Sequence, residues 1–157
     1  MSITVERSTM LEIYNHAMSE YPLESCGWVI KYNDGREVYT AAQNLQDKYH
    51  KIDPESYPRT SKDAFLIDTL KMNRAIEEAE KEGGFLFSIV HSHIDCGAYF
   101  SAEDKAQMTT LDGHEPVFNS DSYLVVAVEK GKIKESAIFI FNKESKDFEK
   151  RNLVIAN

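Results

Sequence analysis

Residues 91–104 read HSHIDCGAYFSAED. Directly before them, Phe85 to Val90 (FLFSIV) has the largely apolar character of a buried strand. In extended backbone, residues i and i+2 face the same way, so His91 and His93 present two imidazoles on one side while Ser92 points to the other. Two convergent imidazoles are ready nitrogen ligands for a borderline-soft cation such as Zn²⁺. The chain then loops through Ile94 to Phe100, and a helix is expected from Ser101. In the first turn of that helix, the Asp104 carboxylate can swing back to the imidazoles. Two histidines and one aspartate make three protein ligands and leave a fourth tetrahedral position for water. That is the pattern of a catalytic zinc, since structural zinc fills all four positions from the protein. Ser101 and Asp104 also satisfy the S-x-x-[DE] capping box, which needs no metal. The two readings are compatible, because a cap fixes where Asp104 points. Cys96, inside the loop, is either a fourth ligand or nucleophile, or a small packing residue.

Upstream, Ile3 to Glu6 reads as a short strand, and Thr9-Met-Leu-Glu12 as a capping box opening a helix that ends by Pro22. Cys26 to Tyr32 is strand-like, and Asn33-Asp34-Gly35 is a hairpin turn before a second strand, Glu37 to Ala42. The polar stretch from Gln43 to Pro58 reads as a long loop with at most one strand. Ser61 is expected to cap a helix running to about Glu82, with Phe65, Leu66, Leu70 and Ile76 towards its buried side and Gly83-Gly84 stopping it. Downstream, Tyr123 to Glu129 and Glu135 to Phe141 read as strands with Gly131 at the turn, and a short segment near Leu153 closes the domain.

The chain has 157 residues, enough for one domain with a real core. No repeat, linker or low-complexity tract divides it. Helices mixed with a meander of strands predict one α/β domain with a mixed sheet and helices packed against it. The formal net charge of −8 argues against non-specific nucleic-acid binding, which depends on neutralising phosphates with Lys and Arg. No window approaches the roughly eighteen uninterrupted apolar residues of a membrane span, and MSITVERSTM lacks the layout of a signal peptide. A cytoplasmic location is expected. Two cysteines, Cys26 and Cys96, are too few for a disulfide scaffold and fit a reducing compartment.

His-Ser-His, seven residues, Ser, two residues, Asp resembles the signature of the JAMM/MPN metalloprotease family, with every specified position filled. Pro22-Leu-Glu24-Ser-Cys26-Gly27 is similar to the bacterial version of the family's upstream glutamate segment, and Tyr49 to Pro54 (YHKIDP) resembles its segment before the central helix. The resemblance spans nearly the whole chain. It implies one JAMM/MPN domain over residues 1–157, with a central, mainly antiparallel mixed sheet flanked by helices in a cytidine deaminase-like arrangement. It further implies one Zn²⁺ per chain on His91, His93 and Asp104, Glu24 as general base, and Ser101 as donor to the oxyanion. Tyr99 and Phe100 become candidate substrate contacts. The family usually has proline after the second histidine and often before the serine; here Ile94 and Phe100 stand there, which bears on loop rigidity rather than ligation.

The activity implied is amide or isopeptide hydrolysis at the extended, Gly-rich C-terminal tail of a ubiquitin-like protein. Processing of a sulfur-carrier protein, or a metal-free scaffold of the same fold, are the alternatives. A nucleic-acid-directed metalloenzyme is disfavoured by the acidic balance.

Overall fold

The computed structural model describes residues 1–157. Strand β1 (Ser2–Glu6) leads straight into helix α1 (Arg7–Glu20), after which β2 (Cys26–Tyr32) and β3 (Glu37–Ala42) form the expected hairpin. Helices α2 (Gln46–Ile52) and α3 (Thr69–Glu80) precede the long strand β4 (Gly84–Ile94), which carries both histidines. A short helix, α4 (Ala102–Met108), then leads to β5 (Ser122–Glu129), β6 (Lys132–Asn142) and β7 (Asp147–Ala156). The seven strands make one sheet in the order β1-β7-β6-β5-β4-β2-β3. The β1–β7 and β4–β5 pairs are parallel and the other four antiparallel, so the sheet is mixed and mainly antiparallel, as expected.

Strand β5 explains why the sheet has two covered faces. Its run Tyr-Leu-Val-Val-Ala-Val is apolar at every position because successive side chains enter opposite cores. Tyr123, Val125 and Ala127 join Trp28, Met72, Phe100 and Phe148 on one face. Leu124, Val126 and Val128 join Val5, Met10, Ile13 and Ala17, the last three from the inner side of α1, on the other. In β4, Ile89 belongs to the first face, and period-two alternation carries that face forward to His91 and His93.

Four expectations are corrected. Helix α1 starts two residues before Thr9, with Glu6 at its N-cap and no side-chain cap, so Thr9-Met-Leu-Glu12 is not a capping box; Thr9 is buried instead. The stretch read as a loop contains α2, whose start is fastened by the Asn44 side chain accepting from the Gln46 N–H at 3.0 Å. The helix expected from Ser61 begins only at Thr69, capped by Asp68, which accepts from the Lys71 N–H. Residues 61–68 instead run irregularly along the site, with Phe65 buried in the core, and Leu70 points to solvent. Their apolar spacing reflects burial against the sheet and not helical periodicity. The closing segment near Leu153 is a full ten-residue strand, because the parallel β1 edge gives it a second partner. No helix is long and apolar enough to cross a membrane.

Candidate metal centre

At the C-terminal end of β4, three donor atoms converge. His91 Nε2 and His93 Nε2 each lie 3.0 Å from Asp104 Oδ2 and 3.2 Å from each other. All three residues are nearly sealed from solvent, at 1%, 3% and 4% exposure respectively. The aspartate arrives by the capping box read from the sequence. Ser101 Oγ accepts from the Asp104 N–H, and Asp104 Oδ2 accepts from the Ser101 N–H, each at 3.0 Å. Capping and convergence are one arrangement, with the same carboxylate oxygen serving both.

The orientation of His93 is set by its other nitrogen. Nδ1 lies 3.0 Å from the Gly97 carbonyl oxygen, which can only accept, so Nδ1 carries the proton and Nε2 offers a lone pair. His91 is stacked face to face on Phe65, with ring centroids 4.3 Å apart, and burial pulls its pKa down. Burial also opposes ionisation of Asp104, yet the neighbouring imidazoles override it and hold the carboxyl well below the usual carboxylate range. These two tendencies conflict: Asp104 is favoured as an anion by positive imidazole, and burial denies His91 that charge. The result is a buried carboxylate beside an imidazole, His91, that burial disfavours charging, with the Nε2 lone pair of His93 turned to the same point.

An ion supplied from outside resolves the conflict. A tetrahedral site with bonds of about 2.0–2.1 Å separates its donors by roughly 3.3 Å, close to the triangle formed by the three atoms here. The donor set of two neutral imidazoles and one carboxylate suits a borderline-soft divalent metal. The residues fit a metal ion.

His93 lines a cleft of about 370 Å³ together with Glu24, Arg59, Cys96, Tyr99 and Ser101. Glu24 lies in the turn before β2, at 5% exposure, and its Oε1 is buried without a hydrogen-bond partner. Burial, reinforced by the charge of Asp104, pushes its carboxyl up to about 9.

Four hydrogen bonds hold Glu24 there. Its N–H donates to the Ser61 carbonyl at 2.7 Å, and its carbonyl accepts from Asn44 Nδ2 at 2.9 Å. The next residue, Ser25, donates its N–H to Ser92 Oγ at 2.7 Å and accepts from the Ser92 N–H at 3.0 Å. The serine between the two histidines therefore ties the glutamate's turn to the ligand strand. Sequence reading missed Ser92 and Asn44; the alternation that turned Ser92 away from the imidazoles was the available signal for the first.

The model of the prokaryotic homologs of the JAB domain matches residues 6–139. This chain belongs to the prokaryotic JAB-domain family. The JAB domain is similar to solved structures as well. Protein DSY2949 of Desulfitobacterium hafniense is 23% identical over 100% of this chain and 94% of its own, with a TM-score of 0.69. A Salinibacter ruber protein is 18% identical over 98% of this chain and 91% of its own, with a TM-score of 0.56. AF2198 of Archaeoglobus fulgidus, a JAB1/MPN domain protein, is 13% identical over 98% of this chain, with a TM-score of 0.48. At these identities the first two speak for the fold. No curated protein matches the chain.

Within this JAB domain the expected residues separate into three groups. His91, His93 and Asp104 share one point in space. Glu24, Ser101 and Tyr99 line the cleft beside it, and Tyr99 packs edge-on against the His93 ring with centroids 4.9 Å apart. Phe100 is the correction. Its ring is only 8% exposed and packs among Tyr123, Phe139 and Phe148, so it anchors the loop in the core and does not line the cleft. Cys96 also lines the cleft, but its sulfur lies outside the cluster of three donors. Burial pushes its thiol up, away from thiolate.

Proposed function

We propose that this JAB domain is a zinc-dependent hydrolase that cleaves an amide or isopeptide bond at the extended C-terminal tail of a ubiquitin-like protein. The observation that carries the reading is the pairing of a three-donor site with a buried carboxyl that has no partner of its own. His91, His93 and Asp104 would hold the ion, which when bound acidifies a water and polarises a carbonyl.

The remaining chemistry falls to the chain. Glu24 takes a proton from the water at its free Oε1 and returns it to the nitrogen of the leaving amine. With a divalent ion held beside it, Glu24 would be stabilised as the carboxylate this task needs, against the burial that otherwise raises its pKa. Ser101 Oγ already accepts from the helix, so its own proton is available to the oxygen that becomes negative as the carbonyl turns tetrahedral. Tyr99 gives the tail an aromatic wall.

An extended tail needs main-chain partners, and β3 supplies an outer edge of the sheet. Its Ala42 end pairs with Cys26, two residues from Glu24. Strand addition along that edge brings a small-residue tail towards the cleft.

The test is a panel of fusions in which ubiquitin-like and sulfur-carrier tails are joined to a reporter. Cleavage directly after the terminal glycine, abolished by chelator and restored by Zn²⁺, is the expected result. Cleavage that persists in chelator, or its absence across every tail with metal bound, would sink the proposal.

A further inference from the structure

Glu135 stands two strands away from the nearest metal ligand, yet it is joined to that ligand through a single peptide group. The register makes this possible: His93 on β4 pairs with Ala127 on β5, and Ala127 pairs with Glu135 on β6. Paired positions share a face, so the three side chains form one row across the sheet. The middle member is alanine and blocks nothing. The backbones at the two ends of this row are separated by roughly 9–10 Å, twice the strand spacing, and the loop after His93 folds into the space between them.

The Gly97–Ala98 peptide occupies that space. Its N–H donates to Glu135 Oε1 at 2.9 Å, and its carbonyl accepts from His93 Nδ1 at 3.0 Å. Carboxylate, peptide and imidazole thus form one chain of hydrogen bonds in which each polarises the next. The carboxylate draws on the amide proton, the carbonyl oxygen becomes a stronger acceptor, and the Nδ1 proton is held more firmly. Electron density at Nε2, the atom facing Asp104 and His91, rises in consequence. A methyl group on Gly97 would come within 3.2 Å of Glu135 Oε1, so the carboxylate is seated closely against this peptide. A metal-ligating histidine commonly donates its second nitrogen to a carboxylate or a carbonyl. Here the two are used in series.

We infer that Glu135 is a positioning residue for the metal centre, fixing the tautomer and raising the ligand strength of His93 through the Gly97–Ala98 peptide. The inference rests on the three donors being a metal site and is independent of which bond the protein cleaves.

Two variants separate orientation from charge. Glu135→Gln keeps an oxygen that accepts from Ala98 but loses the negative charge; Glu135→Ala loses both. Zn²⁺ affinity is read by competition with a chromogenic chelator, alongside melting of the metal-free proteins and the NMR signal of the His93 Nδ1 proton. Wild type is expected to show a downfield, slowly exchanging Nδ1 proton. Glu135→Ala should bind Zn²⁺ about 10- to 100-fold more weakly with that signal shifted or lost, at an unchanged metal-free melting temperature. Glu135→Gln should fall between the two. If Glu135→Ala folds and binds Zn²⁺ as tightly as wild type, the inference is overturned. If Glu135→Ala does not fold, a Glu135→Gln protein with unaltered affinity and an unmoved Nδ1 signal overturns it equally.

Discussion

Asp104 Oδ2 and His93 Nε2 face each other at 3.0 Å, and the proton that could bridge them sits on the far side of the imidazole ring, at Nδ1. With the Nδ1 proton committed to the Gly97 carbonyl, the fold holds the Nε2 lone pair and the carboxylate oxygen at one buried point. The site is preorganised for a cation.

Ligation and capping can therefore be separated at Asp104. Asp104→Asn retains an oxygen for the Ser101 N–H but loses the charge, so it should keep α4 while weakening Zn²⁺ binding by at least about 100-fold. At a Zn²⁺ concentration 100 times the dissociation constant, wild type should gain about 2.7 kcal/mol of stability and the variant almost none. Melting with and without metal measures both. An Asn variant stabilised by zinc as much as wild type would remove Asp104 from the ligand set.

Glu24 should make the metal-free protein less stable as pH rises. Its carboxyl titrates near 4.5 when unfolded and near 9 in the cleft. Between these values the folded chain keeps a proton that the unfolded chain has lost, so stability falls with increasing pH across that window. Glu24→Gln cannot ionise and should escape the loss. In chelator at neutral to mildly alkaline pH it is expected to be more stable than wild type by about 1–3 kcal/mol, while turnover is abolished. Added Zn²⁺ should narrow the stability gap. Parallel melting curves for the two metal-free proteins across this pH range would show that the buried carboxyl is not strained.

Ser101 carries two loads, and a pair of variants distinguishes them. Ser101→Ala loses the helix cap, at a cost of about 1 kcal/mol, and with it the proposed donor, at a cost of roughly 10²–10³ in kcat. Ser101→Thr keeps a hydroxyl for both and should restore most of each. Urea denaturation and kinetics on a cleavable fusion are the measurements; a Ser101→Ala enzyme with near-normal kcat would assign the residue to the cap alone.

Neighbouring aromatics should behave in opposite ways. Phe100→Ala removes a ring from the core and should cost about 3–5 kcal/mol of stability. Tyr99, 51% exposed, should cost under about 1 kcal/mol when truncated, and its loss should appear in KM for tail substrates. Comparable destabilisation by the two would mean that the loop is packed differently.

The residues between His91 and Asp104 could be read without a structure because every rule they use is local. Period-two alternation aims the imidazoles, and a capping box aims the carboxylate, all within fourteen residues. The apolar stretches of β2, β4 and β5 were equally legible, since strands buried on both faces advertise themselves by composition. The segment 61–68 was misread for the converse reason. Phe65 and Ala64 are apolar because they cover the site and the core, and burial without periodicity imitates a helix when only the residue types are seen.

What the sequence by itself determined, then, was the candidate metal-ligand set and the strand and helix that present it, because those side chains are neighbours along the chain. Tertiary structure alone decided that Glu24 is sealed beside the ligands without a partner, that Ser92 and Asn44 hold its turn in place, that Phe100 faces inward, and that Glu135 reaches His93 through one peptide. Each of these depends on segments 20 to more than 60 residues apart meeting across a sheet or loop. Sheet register and burial fix such meetings, and neither is encoded in the spacing of nearby residues.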